Sequence, residues 1–136
     1  MSDELNLDSA KSVLESGFEE AKKVIADDGK LEELLQSAEG KLKGIPVLGE
    51  GLSHIPLFVS MVRSWACKEY TEAPFMDIVA AVSAIMYWLK EDDLVNDKTP
   101  LLGRVDDAAV CMACYLLSKG DLDKYEQWRS TKKLEA

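Results

Sequence analysis

The chain has 136 residues, of which 47% are hydrophobic and 30% charged, and its formal net charge at pH 7 is −9. This length suits one domain with a sizeable core, and the composition is typical of a soluble folded protein rather than a disordered chain. Residues 1–40 carry eleven acids and four bases, a balance of −7. Because no basic patch offsets this acidity, we expect no nucleic-acid partner, and we expect an anionic membrane surface to repel the N-terminal arm.

The lack of a recognisable secretory signal or membrane span and the odd number of cysteines predict a cytoplasmic location. The first residues, MSDELNLD, lack the basic and apolar regions of a secretory signal. The longest uncharged apolar run, Ile78–Leu89, has twelve residues, fewer than the roughly 20 that span a bilayer. The three cysteines are an odd number in a chain without an export signal, so we interpret them as reduced thiols.

Hydrophobic residues recur at three- and four-residue spacing and never alternate as in a strand, which predicts an all-α fold. A first helix starts at a cap among residues 6–9 and ends at Asp27-Asp28-Gly29, and a second runs from Leu31 to about Leu42. Both have a narrow apolar stripe and much charge, so this hairpin must lie on the rest of the chain or on a partner. We therefore predict one domain over 1–136, in which an accessory hairpin (8–43) joins a helical core (46–130).

The core is predicted to hold a third helix after Pro56 and two central apolar helices joined by an acidic loop. The fourth helix, Phe75–Lys90, is apolar on every side, which is typical of a buried helix, and Thr71 or Asp77 is its candidate cap. The fifth spans about 105–119 and ends at Gly120, and a sixth follows it. The predicted architecture is thus a small bundle of about five to six helices.

Several motifs in the second half of the chain resemble the YkvA-like family. The loop that joins the fourth and fifth helices reads EDDLVNDKTPLLGRVDD, against P-x-D-L-I-P-D-x-I-P-x-L-G-x-x-D-D in the family. The similarity extends over about residues 58–130 and includes Lys68-Glu69-Tyr70, Pro74 and Tyr87-Trp88-Leu89. Glu91 and Asn96 replace two prolines of the family pattern, so this loop is less stiff and more acidic. The family is a small helical domain of unknown function, and the resemblance therefore implies a fold but no chemistry.

The acidic loop over residues 91–107 is the strongest candidate site in the sequence. Asp106 and Asp107 stand where the fifth helix begins, and carboxylates there are explained as helix caps. By contrast, Glu91, Asp92 and Asp93 follow the fourth helix, where negative charge is unfavourable by about 0.3–1 kcal/mol per residue. We expect compensation from a neighbouring basic residue or from a bound cation, the candidate residues being Lys90, Lys98 and Arg104.

A divalent-cation site is one hypothesis for this loop. Its ligands would be Asp93, Asp97, Asp106 and Asp107, brought together by turns at Pro100 and Gly103. A cluster of carboxylate oxygens suits Mg²⁺, Ca²⁺ or Mn²⁺. The alternative is a solvated or self-capped loop, which the usual behaviour of charge runs favours.

Other chemically reactive residues have structural interpretations. Cys111 and Cys114 lie inside an apolar helix rather than on a zinc knuckle, which favours core packing over zinc or redox chemistry, even with Cys67 and His54 counted as further ligands. His54 stands in a Gly/Pro-rich turn without a nucleophile nearby, which favours a turn residue over a general base. The three tryptophans are expected to be core residues, with one or two at an interface.

These observations favour a non-enzymatic interaction or scaffolding module with no bound cofactor, whose partner is another protein or a second copy of the chain. Membrane association is an alternative, because two apolar helices joined by a tight loop resemble a short hairpin that could become exposed. A cation-binding protein, or a cation-dependent hydrolase, that uses the acidic loop is a further alternative.

Overall fold

The structure is a computed structural model, and it describes the backbone of residues 10–44, 54–96 and 107–135 and the side chains of residues 10–44, 54–89 and 109–132. A short helical segment, 10–16, precedes five longer helices. These are α1 (Phe18–Ala26), α2 (Asp28–Lys43), α3 (Ile55–Ala66), α4 (Phe75–Asn96) and α5 (Asp107–Glu135). No strand occurs within the described ranges, and the all-α prediction is confirmed.

Helix α4 is the centre of the bundle and packs against α1, α2, α3 and α5. Its residues from Ile78 to Met86 are all buried, as its all-round apolar sequence predicts. Trp88 is 1% exposed and is among the largest fully buried side chains, together with Phe58 of α3 and Tyr125 of α5. Removing an aromatic side chain from such a core typically costs about 3–5 kcal/mol. The bundle therefore depends on one helix that every neighbour helps to bury.

The predicted first helix is interrupted at Gly17, where the segment 10–16 ends and α1 begins. The hydroxyl group of Ser83 on α4 donates a buried 2.7 Å hydrogen bond to the carbonyl of Leu14, which lies at this break. A Cβ atom at position 17 would come within 2.5 Å of the same hydroxyl oxygen. Glycine is thus required by close approach to α4, and the N-terminal segments pack on the core.

Charged side chains connect α2 with α3 and α4. Arg63 on α3 forms ion pairs with Glu39 at 2.6 Å and with Glu32 at 3.2 Å. These hydrogen bonds to Arg63 hold the pKa of Glu32 below its ordinary value. Near the C-terminus of α2, Lys41 donates a 3.0 Å hydrogen bond to the main-chain carbonyl of Trp88 and lies over its indole ring at 4.4 Å. A lysine from α2 therefore brings positive charge to the C-terminal half of α4, a role that the sequence pattern did not predict.

The last turn of α3 is closed by a Schellman motif centred on Lys68. The amide of Glu69 bonds to the carbonyl of Ser64, and the amide of Lys68 bonds to the carbonyl of Trp65. This pattern requires a left-handed residue after the helix, and Lys68 has a φ of 63°. A lysine here bears a strain that glycine would avoid.

Three predicted helix limits differ from the observed ones. Helix α4 ends at Asn96 rather than Lys90, because no glycine or proline interrupts the chain there, so Glu91 to Asp93 lie within the helix. The predicted division between the fifth and sixth helices lies two residues earlier than expected, because α5 has a kink at Ser118 rather than at Gly120. Asp77 and Thr71 are not caps of α4: Asp77 is its third residue, and Thr71 lies four residues before its start.

Candidate functional site

The predicted cation ligands lie largely outside the described residues. Asp97 and Asp106 belong to the undescribed range, and Asp93 and Asp107 lie in α4 and α5 at positions whose side chains are not described. The cation site therefore stays a prediction. It would be dismissed if Mg²⁺, Ca²⁺ and Mn²⁺ left both the melting temperature and the NMR shifts of the loop unchanged. In the part of the chain that is described, no group of three or more His, Cys, Asp or Glu side chains could hold a metal ion.

The cysteines and the histidine have packing roles. Cys111 and Cys114 are fully buried thiols in α5, as predicted, whereas Cys67 is exposed after α3. Burial raises the pKa of Cys114 to about 12, so this thiol is not activated. His54 directly precedes α3, and its ring stacks on that of Tyr115 with centroids 3.9 Å apart. The burial of Cys111 and Cys114 and the stacking of His54 fit the structural interpretation of these three residues.

Hydroxyl groups meet between α3 and α5 beside an open groove of about 430 Å³. The hydroxyl of Tyr125 is hydrogen-bonded to Ser60 at 2.5 Å and to Ser64 at 3.0 Å, and Arg129 donates to Ser60 at 3.2 Å. Tyr125 itself is 1% exposed, and its ring packs against those of Tyr70 and Trp128. Because each hydroxyl group already has a hydrogen-bond partner, we interpret this network as one that stabilises the packing of α3 against α5.

A pair of carboxyl groups joins α4 to α5. Asp77, in the first turn of α4, lies close enough to Asp121 of α5 for the two carboxyl groups to act on each other. The Oδ2 atom of Asp77 is buried and receives no hydrogen bond from an N–H or hydroxyl donor. A buried carboxyl oxygen without a donor is unfavourable in the ionised form.

Burial and the second carboxyl group both favour the protonated form of Asp77. Burial, and after it the neighbouring Asp121 carboxyl group, raise the pKa of Asp77 to about 7. The position of Asp77 at a helix N-terminus acts in the opposite direction, but such an effect is only about 0.3–1 kcal/mol and does not prevail. The Asp77 carboxyl group therefore exchanges its proton near neutral pH.

The bend of α5 lies beside this pair. Ser118 has φ −117° and ψ 15°, and its hydroxyl group donates a 2.8 Å hydrogen bond to the carbonyl of Cys114, one turn earlier. A serine that bonds back in this way often bends a helix. Asp121 follows the bend by three residues and so belongs to the second half of α5.

Four large apolar side chains are exposed on α4 and α5. Phe75 and Met76 are 47% and 46% exposed at the start of α4, and Leu116 and Leu117 are 55% and 48% exposed on α5. We call these four residues the end patch. Met76 directly precedes Asp77, and Leu117 lies one turn before Asp121. The end patch thus belongs to two helices that pack against each other.

Comparison with known proteins identifies the family. The family described as "Protein of unknown function (DUF1232)" matches residues 77–113. The "Uncharacterized membrane protein YkvA" of Bacillus subtilis (strain 168) is 33% identical over 78 residues, which cover 57% of this chain and 74% of the relative. The chain belongs to the YkvA-like family. No solved structure matches significantly.

The YkvA-like match includes Asp77 at its start and ends within α5 at Ala113, so it contains the central helix and the acidic loop. Among the described helices of this YkvA-like chain, none is both long enough and apolar enough to cross a bilayer. The sequence pattern did not reveal the site beside α4, because Asp77 resembled an ordinary cap and Asp121 an ordinary helix start. The available signal was the pair of exposed hydrophobic residues before Asp77, at a predicted helix start where polar residues are usual.

Proposed function

We propose that this chain is a non-enzymatic interaction module that docks on the surface of a lipid bilayer through the end patch. The observation that carries the proposal is the exposure of four large apolar side chains on two adjoining helix segments. Single exposed hydrophobic residues are common, whereas a group on neighbouring elements is typical of an interaction site. The reduced thiols predicted from the sequence support docking on the cytoplasmic side of the membrane.

Two observations support a bilayer as the docking surface. The relative from Bacillus subtilis is called a membrane protein. The end patch also has suitable neighbours, because the ring of Trp65 lies 6.3 Å from that of Phe75, and Lys68 lines the same cavity as Trp65. Tryptophan and lysine beside inserted apolar side chains suit the boundary between headgroups and acyl chains.

The proposal that the chain is not an enzyme rests on the contacts that its reactive side chains make. The imidazole ring of His54 is stacked on Tyr115, and the Tyr125 hydroxyl is bonded to two serines. A nucleophile needs an adjacent base or a lowered pKa, and the Cys114 pKa is raised. These engagements support binding rather than catalysis.

The expected affinity is weak. Fully burying a large apolar side chain contributes about 1.5–3 kcal/mol, so four half-exposed side chains contribute on the order of 4 kcal/mol. This corresponds to a dissociation constant of about 1 mM in accessible lipid. The net charge of −9 opposes anionic lipid, so we expect neutral zwitterionic vesicles to be preferred at low salt.

Sedimentation with phosphatidylcholine vesicles at millimolar lipid and about pH 6 tests the proposal. We expect the double substitution Phe75→Ser with Leu117→Ser to weaken partitioning roughly 30-fold, since it removes about 2 kcal/mol of apolar transfer. Gln127→Ser, at an exposed position of α5 outside the end patch, is the matched control and should bind as the wild type does. Absence of wild-type binding, or unchanged binding of the double variant, would contradict the proposal. A protein partner would then be the better explanation of the end patch.

A further inference from the structure

A cavity of about 340 Å³ opens between the start of α2 and the end of α3. We call it the Trp65 cavity, since the ring of Trp65 lines it and also lies 6.3 Å from the ring of Phe75 in the end patch. Its volume is at the lower end of the range for small-molecule sites, roughly 300–1,000 Å³. The Trp65 cavity therefore adjoins the surface that meets the bilayer, at the level where lipid headgroups would lie.

Two opposite charges line the Trp65 cavity without neutralising each other. Asp28 comes from α2 and Lys68 from the connector after α3. Neither side chain forms an ion pair with a described residue, and they do not pair with one another. A ligand that carries one positive and one negative charge would complement both groups, whereas an anion or a cation would meet one like charge.

Asp28 is not needed to cap α2. The N-cap is Asp27, whose side chain accepts a 3.2 Å hydrogen bond from the amide of Lys30. Asp28 follows in the first turn, where any acid interacts favourably with the helix dipole, and its side chain is exposed. Its carboxylate can therefore accept a cationic group in the cavity while α2 keeps its cap.

Lys68 occupies a position at which glycine would fold more easily. It has a φ of 63° at the end of α3, a conformation that is unfavourable for a residue with a Cβ atom. Strained residues of this kind are concentrated at functional sites. Lysine at this position brings an ammonium group to the Trp65 cavity that glycine would lack.

We propose that the Trp65 cavity binds the phosphocholine headgroup of a phospholipid in the bilayer. The phosphate lies at Lys68 and the hydroxyl group of Thr71, and the quaternary ammonium group lies at Asp28 and the face of Trp65. Lysine is a common phosphate ligand, and tryptophan is the aromatic side chain that attracts quaternary ammonium groups best. This inference rests on the proposed function and names the lipid class that the docked protein recognises.

A double variant that keeps the net charge tests the site by vesicle sedimentation. Asp28→Asn with Lys68→Ala removes one charge of each sign, so the net charge stays at −9. We expect it to bind phosphatidylcholine vesicles about tenfold more weakly than the wild type, since each exposed contact contributes a factor of about three. The control is Glu33→Gln with Lys124→Ala, at exposed positions outside the cavity, and it should bind as the wild type does.

Vesicles of diglucosyl diacylglycerol with the same acyl chains separate headgroup binding from docking. Their headgroup is neutral and has neither phosphate nor ammonium, so only the end patch contributes to binding. We expect the wild type to bind these vesicles about tenfold more weakly than phosphatidylcholine and the double variant to bind both equally. Equal wild-type binding to both lipids would leave docking intact and overturn the headgroup site. Absence of wild-type binding to either lipid would contradict the proposed function and the headgroup site together.

Lys68→Gly gives a result that a folding defect would not imitate. It removes the ammonium group and the backbone strain together, so it should weaken binding to phosphatidylcholine about threefold while the protein becomes more stable. Binding as tight as that of the wild type would overturn the role of Lys68.

NMR with soluble glycerophosphocholine reports on the cavity without a membrane. At a concentration on the order of 100 mM, needed because a free headgroup lacks the effective concentration that docking provides, we expect the Trp65 indole and Lys68 amide resonances to shift in the wild type. The double variant should show no such shifts. Unchanged wild-type resonances would overturn the headgroup site. Shifts in a protein that binds no vesicles would overturn the bilayer as the source of the ligand.

Discussion

Gly17 is the residue at which the N-terminal segments approach α4 most closely. A methyl group there would meet the Ser83 hydroxyl, which is buried and already bonded to the carbonyl of Leu14. We therefore expect Gly17→Ala to lower the free energy of unfolding by about 1–3 kcal/mol, because the hydroxyl must move and the carbonyl loses its donor. Urea denaturation followed by circular dichroism measures the change.

Gly40 provides the control for this substitution. It lies inside α2, and a Cβ atom there would meet nothing within 4 Å. Gly40→Ala should therefore stabilise the protein by up to about 1 kcal/mol through helix propensity. Equal effects of the two substitutions would show that close approach to α4 does not explain Gly17.

At the left-handed residue after α3, by contrast, we expect the introduction of a glycine to stabilise the protein. Because Lys68 has a φ of 63° in a Schellman motif, Lys68→Gly should raise the free energy of unfolding by about 1 kcal/mol. Lys68→Ala removes the same charge but keeps the Cβ atom, and it should give no such gain. A higher denaturation midpoint for Lys68→Ala than for Lys68→Gly would contradict the assignment of backbone strain.

Among the helices, the contact between α4 and α5 should make stability depend on pH. The folded state holds the Asp77 proton up to about pH 7, whereas the unfolded chain releases it near 3.8. Between these values the folded state binds more protons, so this carboxyl group makes stability fall as pH rises, and the loss is complete above pH 7.

Asp77→Asn removes this dependence. At about pH 8 we expect it to be more stable than the wild type by on the order of 1 kcal/mol, a value reduced from the full shift because solvent screens a partly exposed pair. At about pH 4 the two proteins should be nearly equal. Thermal melts across this pH range check the prediction, with Asp123→Asn as the control. A wild type that gains stability relative to Asp77→Asn as the pH rises to 8 would contradict it.

The same helices show what the sequence could and could not predict. The burial of α4 followed from residues that are apolar on every side, and the packing of Cys111 and Cys114 followed from their place in an apolar helix. The bend at Ser118 did not follow, since it depends on a side-chain bond to Cys114 while nearby Gly120 is the stronger sequence signal.

Local sequence patterns could not predict the pair of carboxyl groups, for a related reason. Asp77 and Asp121 are 44 positions apart, and each alone resembles a helix-start residue. Their contact exists only because α4 and α5 pack together, so the site was predicted in the acidic loop instead. Contacts between distant residues determine the pKa of Asp77, and composition alone contains no information about them.

At the scale of the whole molecule, charge and apolar surface act in opposite directions on membrane docking. The net charge of −9 disfavours anionic lipid, while the end patch favours any apolar phase. We therefore expect added salt to strengthen binding to anionic vesicles by screening the repulsion, and to leave binding to neutral vesicles nearly unchanged. Binding that weakens with salt would indicate electrostatic attraction instead, and would contradict docking through the end patch.

Fluorescence quenching by brominated lipid tests most directly whether the end patch is the part that meets the bilayer. Trp65 lies beside Phe75, whereas Trp128 packs against Tyr70 and Tyr125. Two single-tryptophan variants, with the remaining tryptophans replaced by phenylalanine, report on each position separately at about pH 6. The account predicts that bromine in the upper acyl chains quenches Trp65 strongly and Trp128 weakly. Quenching of Trp128 above that of Trp65, or of neither in vesicle-bound protein, would contradict it.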